Sequence, residues 1–269
     1  MSDRVIVRID DARIAHVTLN RAEVHNAIDP EMVEALTDAL GRIGNDERVR
    51  SVVLRGAGRN FCAGADIEQM KKSATFTAEQ NVEVARHAAR MFQRLYALGK
   101  PTVACVHGAV RGGGCGLVAA CDIAIATRSA SFRLSEVKIG VIPAMISPYV
   151  IAAIGERMAR RYMITGEAFD ALEAERIGLV HQVVDEAQLE GAVDAMLGHI
   201  ATSGPGAVTA IKQLIPVSAH APIGPDIIEE TARRIATVRA TPEAQEGLAA
   251  FLEKRKPAWI VPAARREPQ

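Results

Sequence analysis

KPTVACVHGAVRGGGCGLVAACD, residues 100–122, reads as a short apolar strand from Thr102 to Val106, a turn at His107-Gly108, and a run of small residues that starts a helix at Gly112-Gly113-Gly114. Glycines at a helix start let something outside the chain approach bare backbone. The first amides of a helix have no partner inside it and can hold a developing negative charge. Taken alone, a glycine cluster is more often a plain turn or a tight packing point. The stretch therefore gains weight only from what surrounds it.

Further back, the apolar run Ser51–Leu54 leads into RGAGRNFCAGADIEQM, residues 55–70, again strand, glycine-rich loop and amphipathic pattern. Two such loops can aim two N–H groups at one oxygen, as a thioester enolate or tetrahedral oxyanion requires. Together, FCAGADI and HGAVRGGGCGLVAACD resemble the signature of the enoyl-CoA hydratase/isomerase (crotonase) family. The resemblance continues through ASFRLSEVKIGVIP, TGEAFDALEAERIGLV and the terminal FLEKRK, nearly the whole chain. It implies an α/β fold, a crotonase-like spiral of ββα turns with a C-terminal helical oligomerisation subdomain. The implied division is residues 1–200 for the core with the active site and 201–269 for a helical trimerisation subdomain. The implied partners are an acyl-CoA thioester substrate and further copies of the chain, as a homotrimer or a dimer of trimers. No cofactor is implied beyond the coenzyme A that is part of the substrate.

Composition narrows the function classes. The 269 residues, 49% hydrophobic, can build a sizeable core. Lys+Arg 32 against Asp+Glu 32 leaves no net charge, which argues against nucleic-acid or anionic-membrane partners. Charged residues from Asp3 to Asp11 interrupt any apolar leader, and no run is long enough for a membrane span, so a soluble, cytoplasmic protein is expected. Cys62, Cys105, Cys115 and Cys121 form no C-x-x-C pair and sit among Ala, Val and Gly, the pattern of buried reduced thiols. The seven histidines show no paired spacing, and no metal site is expected.

Along the chain, Val5–Ile9 and Ile14–Leu19 alternate around Asp10-Asp11 and predict an antiparallel hairpin. Asp29-Pro30-Glu31 starts a helix whose apolar face runs from Met32 to Ile43. A second helix over 78–98 places Val82, Ala85, Ala89, Phe92 and Leu95 at helical spacing, an ordinary core stripe. Strands follow at 121–126 and 179–184. Helices are predicted over 147–154 and 156–164, separated by Gly155, and from Asp170 to Gly178 with a capping-box spacing. Beyond Val184 the pattern is wholly helical, near 186–201, 206–215, 226–239 and 242–254.

The resemblance places the two oxyanion amides on Ala65 and Gly113, and the acid/base group on Glu136. Flanked by Phe132, Leu134, Val137, Ile139, Val141 and Ile142, a carboxylate at Glu136 is expected to be desolvated, which raises its pKa toward the range useful for proton transfer. Ala63, Asp66, Ile67 and Glu68 are expected to line the pantetheine arm, although Asp66 equally suits a helix cap. By resemblance the loop from Arg21 to Ala27 lies against the nucleotide; His25 fits either a contact there or a solvated histidine. Phe251 and Lys254 are implied to reach a neighbour's coenzyme A, with a solvated charged end as the alternative for Lys254. Arg111, before the glycines, suggests a partner for a substrate carboxylate; pairing with a neighbouring acid, or a guanidinium pointing to solvent, are the alternatives.

The chain departs from the two-glutamate hydratases at Gly116, where glycine replaces the second carboxylate. Single-glutamate members include double-bond isomerases and hydratases of branched, carboxylated thioesters, and LSEVKIGVIPAMISPYV resembles the methylglutaconyl-CoA and carboxygeranoyl-CoA hydratases. Enoyl-CoA hydration is the leading expectation. Double-bond isomerisation by the one glutamate, or a non-catalytic acyl-CoA-binding protein, are the alternatives.

Overall fold

The structure, a computed structural model, describes residues 3–260. The last nine positions of the expected helical subdomain, 261–269, lie outside the described residues.

The hairpin forms as predicted: β1 (Val5–Ile9) pairs antiparallel with β2 (Ile14–Leu19), Val7 opposite Val17. From β2 onward the main sheet is parallel, through β3 (Ser51–Gly56), β4 (Thr102–Val106), β6 (Ile123–Thr127) and β9 (Gln182–Val184). The near-continuous apolar runs SVVL, TVACV and IAIAT suit strands covered on both faces. A second sheet holds β5 (Ala109–Arg111) and β7 (Ser131–Arg133) in parallel, with β8 (Ala168–Asp170) antiparallel to β7. The chain thus alternates between two sheets as it climbs, which is the expected spiral.

One face of the main sheet is covered by α1 (Pro30–Asn45), α3 (Ala78–Tyr96), α4 (Gly113–Ala120) and α5 (Ser147–Thr165), which share one core with Ala15, Val52, Leu54, Ala104 and Ala124. The opposite face packs Val53, Val103, Cys105 and Ile125 against Leu189, Val193 and Leu197 of α7 (Leu189–Ala201). Asp29 caps α1 by accepting from Met32 N at 2.7 Å. Gly155, at φ 72°, breaks α5 where its sequence reading placed a stop. Asp170 caps α6 (Ala171–Arg176) through Glu173 N, while the Glu173 carboxylate turns to Arg176 and Tyr162 instead of closing the box.

One reading is corrected. The stripe of α3 is core only at its C-terminal end, where Met91, Phe92 and Leu95 are buried; Val82 is 53% exposed, because no described element covers the first turns. The amphipathic pattern after the first glycine-rich loop is a short helix, α2 (Ile67–Ser73), and Thr77 then caps α3 in a reciprocal capping box with Gln80. Among the described residues, no helix is long and apolar enough to cross a membrane.

The last helices, α8 (Pro205–His220), α9 (Pro225–Arg239) and α10 (Pro242–Leu252), bury Ala250 and no other residue fully. Polar ties hold them to the spiral. Lys212 Nζ pairs with Asp122 and donates to Lys100 O, Thr209 Oγ1 donates to Gly99 O, and Glu243 accepts from Gly206 N and Ala207 N at the start of α8. Asp122 Oδ2 also accepts from Thr102 N and Oγ1. Removing that carboxylate leaves the Lys212 ammonium without a counter-ion and the Thr102 strand amide unpaired. Asp122→Ala should cost about 2–3 kcal/mol in denaturant unfolding and speed amide exchange in α8 more than in β4.

Candidate active site

Adjacent parallel strands send their loops out from the same edge. β3 and β4 are such neighbours, with Val52 opposite Thr102. Beyond them the two loops stay zipped: Phe61 N donates to His107 O, Cys62 N to Ala109 O, and Arg111 N to Cys62 O at 2.9 Å. Cys62 and Val110 form a parallel bridge. Three residues beyond that bridge lie Ala65 on one segment and Gly113 on the other.

Ala65 is held by a second parallel bridge, to Ile28, in which Ile28 N donates to Gly64 O and Asp66 N to Ile28 O. A bridge of that kind uses the residues on either side of Ala65, so the N–H of Ala65 itself points away from Ile28. Gly113 opens α4. Within the described residues, neither the Ala65 nor the Gly113 N–H has a hydrogen-bond partner. Ala65 is exposed and Gly113 partly so, whereas Gly112 and Gly114 beside it are buried. Close approach explains the flanking glycines. A Cβ on Gly64, at φ 88°, would lie 2.8 Å from Arg111 O, and one on Gly114 would lie 2.6 Å from Cys62 O.

A third segment runs alongside. β7 pairs in register with β5, Phe132 opposite Val110, and Gly112 N donates to Arg133 O. Glu136 follows three residues after Arg133, at the head of a short 3₁₀ turn. Its Oε1 lies 2.8 Å from where a Cβ on Gly112 would stand, so the carboxylate rests against the glycine run. Oε2 is buried without a hydrogen-bond partner. Burial raises the carboxyl above its ordinary value. The expected apolar cage is only half present: Phe132 and Leu134 are buried, while Val137, Ile139, Val141 and Ile142 are exposed, and the glycine backbone supplies the rest of the enclosure.

The loop from Arg21 to Ile28 braces this arrangement. Asn26, fully buried at φ 57°, donates to Ala57 O, Asn60 O and Phe61 O, and accepts from Arg21 N. The Arg21 guanidinium lies between Asp29 and Asp66. Asp66 also accepts from Glu68 N and Gln69 N, and these donors together with Arg21 outweigh burial and hold its carboxyl below the usual range. Asp66 is therefore the cap, with its oxygens committed within the chain. Sequence reading passed over Asn26, whose one signal was an Asn in a loop, a residue that tolerates the left-handed region. Asn26→Ala should cost roughly 3 kcal/mol in chemical unfolding, from the carbonyls left without a donor and the positive φ.

The remaining candidates separate. His25 Nδ1 meets Asn60 Nδ2 at 2.9 Å on the surface, and Ala63 N donates to His25 O, so this loop lies beside the first amide loop. Ile67 is 69% exposed, and Glu68 pairs with Lys71. Phe251, on α10, is 80% exposed, and Lys254, in the turn that follows α10, is exposed at φ 55°. The Arg111 guanidinium donates to Val110 O, Ser131 O and Ser131 Oγ, pinning β5 to β7. That corrects its reading as a counter-ion for a substrate acid. The four cysteines are buried and unpaired, and burial pushes Cys62, Cys115 and Cys121 up to about 12. Among the described residues, no group of three or more His, Cys, Asp or Glu could hold a metal ion.

The sequence profile described as Enoyl-CoA hydratase/isomerase matches residues 10–261. The chain belongs to that family. It is 34% identical over 252 residues to a putative enoyl-CoA hydratase of Thermus thermophilus, covering 94% of this chain and 99% of the relative. A short-chain-enoyl-CoA hydratase of Clostridium acetobutylicum is 33% identical, covering 91% and 94%. Among solved structures, an enoyl-CoA hydratase from Shewanella pealeana superimposes with a TM-score of 0.92 at 39% identity, covering 95% of this chain and 96% of that one. The fold is thus the crotonase spiral.

The raised carboxyl has a thermodynamic consequence. Unfolded, Glu136 returns to about 4.3. Between that value and its raised folded value the native state holds the extra proton, so stability falls as pH rises through the window. Paired thermal melts of parent and Glu136→Gln should show the difference in Tm moving in favour of the variant as pH rises above the ordinary glutamate value.

Proposed function

We propose that the protein is a cytoplasmic enoyl-CoA hydratase in which Glu136 handles the proton and the Ala65 and Gly113 amides hold the thioester oxygen. The observation that carries this reading is the pair of unpartnered N–H groups, from two zipped loops, together with a half-buried carboxylate whose Oε2 is buried without a partner. As a base, Glu136 takes a proton from water while the oxygen adds to C3 of the enoyl group. The π electrons move onto the thioester carbonyl, and the two amides meet the negative charge that develops there. Glu136 then returns its proton to C2. One carboxylate thus serves both half-steps, and the reverse sequence is dehydration.

Glu136→Gln should lower kcat by about 10²–10⁴-fold with acyl-CoA binding retained. Because the base form is required, the acid limb of the parent's pH–rate profile should lie above the ordinary glutamate range. Gly113→Leu should abolish turnover in a protein that still folds, since its Cβ would press only on the flexible tip of Ile28 and sit at ordinary contact distance from Phe92, while the rest of the side chain covers the amide. Undiminished hydration by either variant would remove the assignment.

A single carboxylate also suits double-bond isomerisation, with Glu136 shuttling a proton between C2 and C4. The filled space at Gly116 favours keeping this reading. Loss of the conjugated enoyl-thioester absorbance distinguishes hydration from conversion of a non-conjugated substrate. For a carboxylated acyl group such as 3-methylglutaconyl, the commitment of Arg111 to Val110 and Ser131 removes the proposed counter-ion. Plain enoyl thioesters are the better fit, in keeping with the short-chain name of the Clostridium relative. The proposed assembly is a homotrimer or dimer of trimers, supported by the exposure of Ile228, Leu248, Phe251 and Leu252 on α9 and α10. Phe251→Glu should reduce the sedimenting mass of any such assembly.

A further inference from the structure

We infer that Ile146 determines which acyl groups the site accepts, by filling the wall of α4 one turn beyond the Gly113 amide. This rests on the hydratase reading above.

Gly113 and Gly116 stand three residues apart on α4, so they share a face. A Cβ on Gly113 would lie 3.0 Å from Ile28 Cδ1 and 3.8 Å from Phe92 Cζ. A Cβ on Gly116 would overlap Cγ2 of Ile146, lie 2.7 Å from its Cβ, and lie 3.1 Å from Phe92 Cε1. The ring edge of Phe92 therefore touches the space above both glycines. Ile28, Phe92 and Ile146 form one apolar wall that begins at the amide and runs along the helix. Ile146 and Phe92 are 3% and 2% exposed, so the wall is packed solid at Gly116.

Ile146 is supplied by the segment that follows Glu136. The 3₁₀ turn Glu136–Ile139 passes through Gly140, at φ 76°, to Ile146, and α5 starts at Ser147 against α4. The residue filling the wall and the residue moving the proton are thus ten positions apart on one excursion of the chain. A thioester oxygen held at Gly113 N–H lays the neighbouring acyl carbons along the first turn of α4, against this wall. Its residues carry no charge and no hydrogen-bonding side chain. The group it fits is a compact hydrocarbon, and its bulk limit is set by the side chain at 146.

The test compares kcat/KM for crotonyl-CoA with that for a bulkier thioester such as cinnamoyl-CoA, in the parent, Ile146→Val and Ile146→Ala. The selectivity ratio should move toward the bulkier substrate by about tenfold or more in Ile146→Ala, with Ile146→Val between. Gly116→Ala should lower Tm in the parent background and be partly relieved when combined with Ile146→Ala, which removes the overlapping Cγ2 and keeps the Cβ 2.7 Å away. A selectivity ratio unchanged within about twofold, in an Ile146→Ala protein that melts cooperatively and still hydrates crotonyl-CoA, overturns the role of Ile146 while leaving the hydratase reading intact. Absence of turnover by the parent on both thioesters overturns both. A Gly116→Ala defect of the same size with and without Ile146→Ala overturns the contact with Cγ2 on which the inference stands.

Discussion

Register between three parallel segments is the constraint on which the site depends. Cys62, Val110 and Phe132 stand side by side, two of them bridged across the loops and two paired within the small sheet. Each segment then runs on in the same direction, and within three or four residues delivers Ala65, Gly113 and Glu136. Parallel pairing fixes this because a slip of one residue would reverse the direction of every amide and side chain beyond it. The site is built by the backbone first, and side chains matter chiefly by being absent.

That explains which parts of the molecule could be read from residues alone. Strands such as SVVL and TVACV declare themselves by apolar runs, and the breaks at Asp29-Pro30 and Gly155 by local chemistry. The two glycine-rich loops stand out as candidates for the same reason. What no local pattern carries is the zipper between them, because hydrogen bonds such as Arg111 N to Cys62 O join residues 49 positions apart by sequence number. Asn26 escaped for a related reason: its three carbonyl partners lie more than 30 residues away.

Arg111 and the first turns of α3 show the opposite error. Proximity in sequence to the glycines suggested a ligand for Arg111, yet its strand places the guanidinium within reach of Ser131, and short hydrogen bonds to that residue win. In α3, helical spacing correctly identified an apolar face, but spacing says nothing of whether a partner covers it; only the half that meets α1 and α4 is buried. Glu136 lies between these cases. Its raised carboxyl was foreseen for the right cause, desolvation, with glycine backbone standing in for some of the aliphatic side chains expected.

The thiols beneath the two loops have an electrostatic meaning. Cys62 donates to Asn26 O, and Cys115 to Val110 O, directly behind the segments that carry Ala65 and Gly113. Since burial pushes both up to about 12, each is a neutral thiol near pH 7. The backing of the site therefore places no standing anion behind it. The partial positive charge of the two amides is thus not opposed by the thiols.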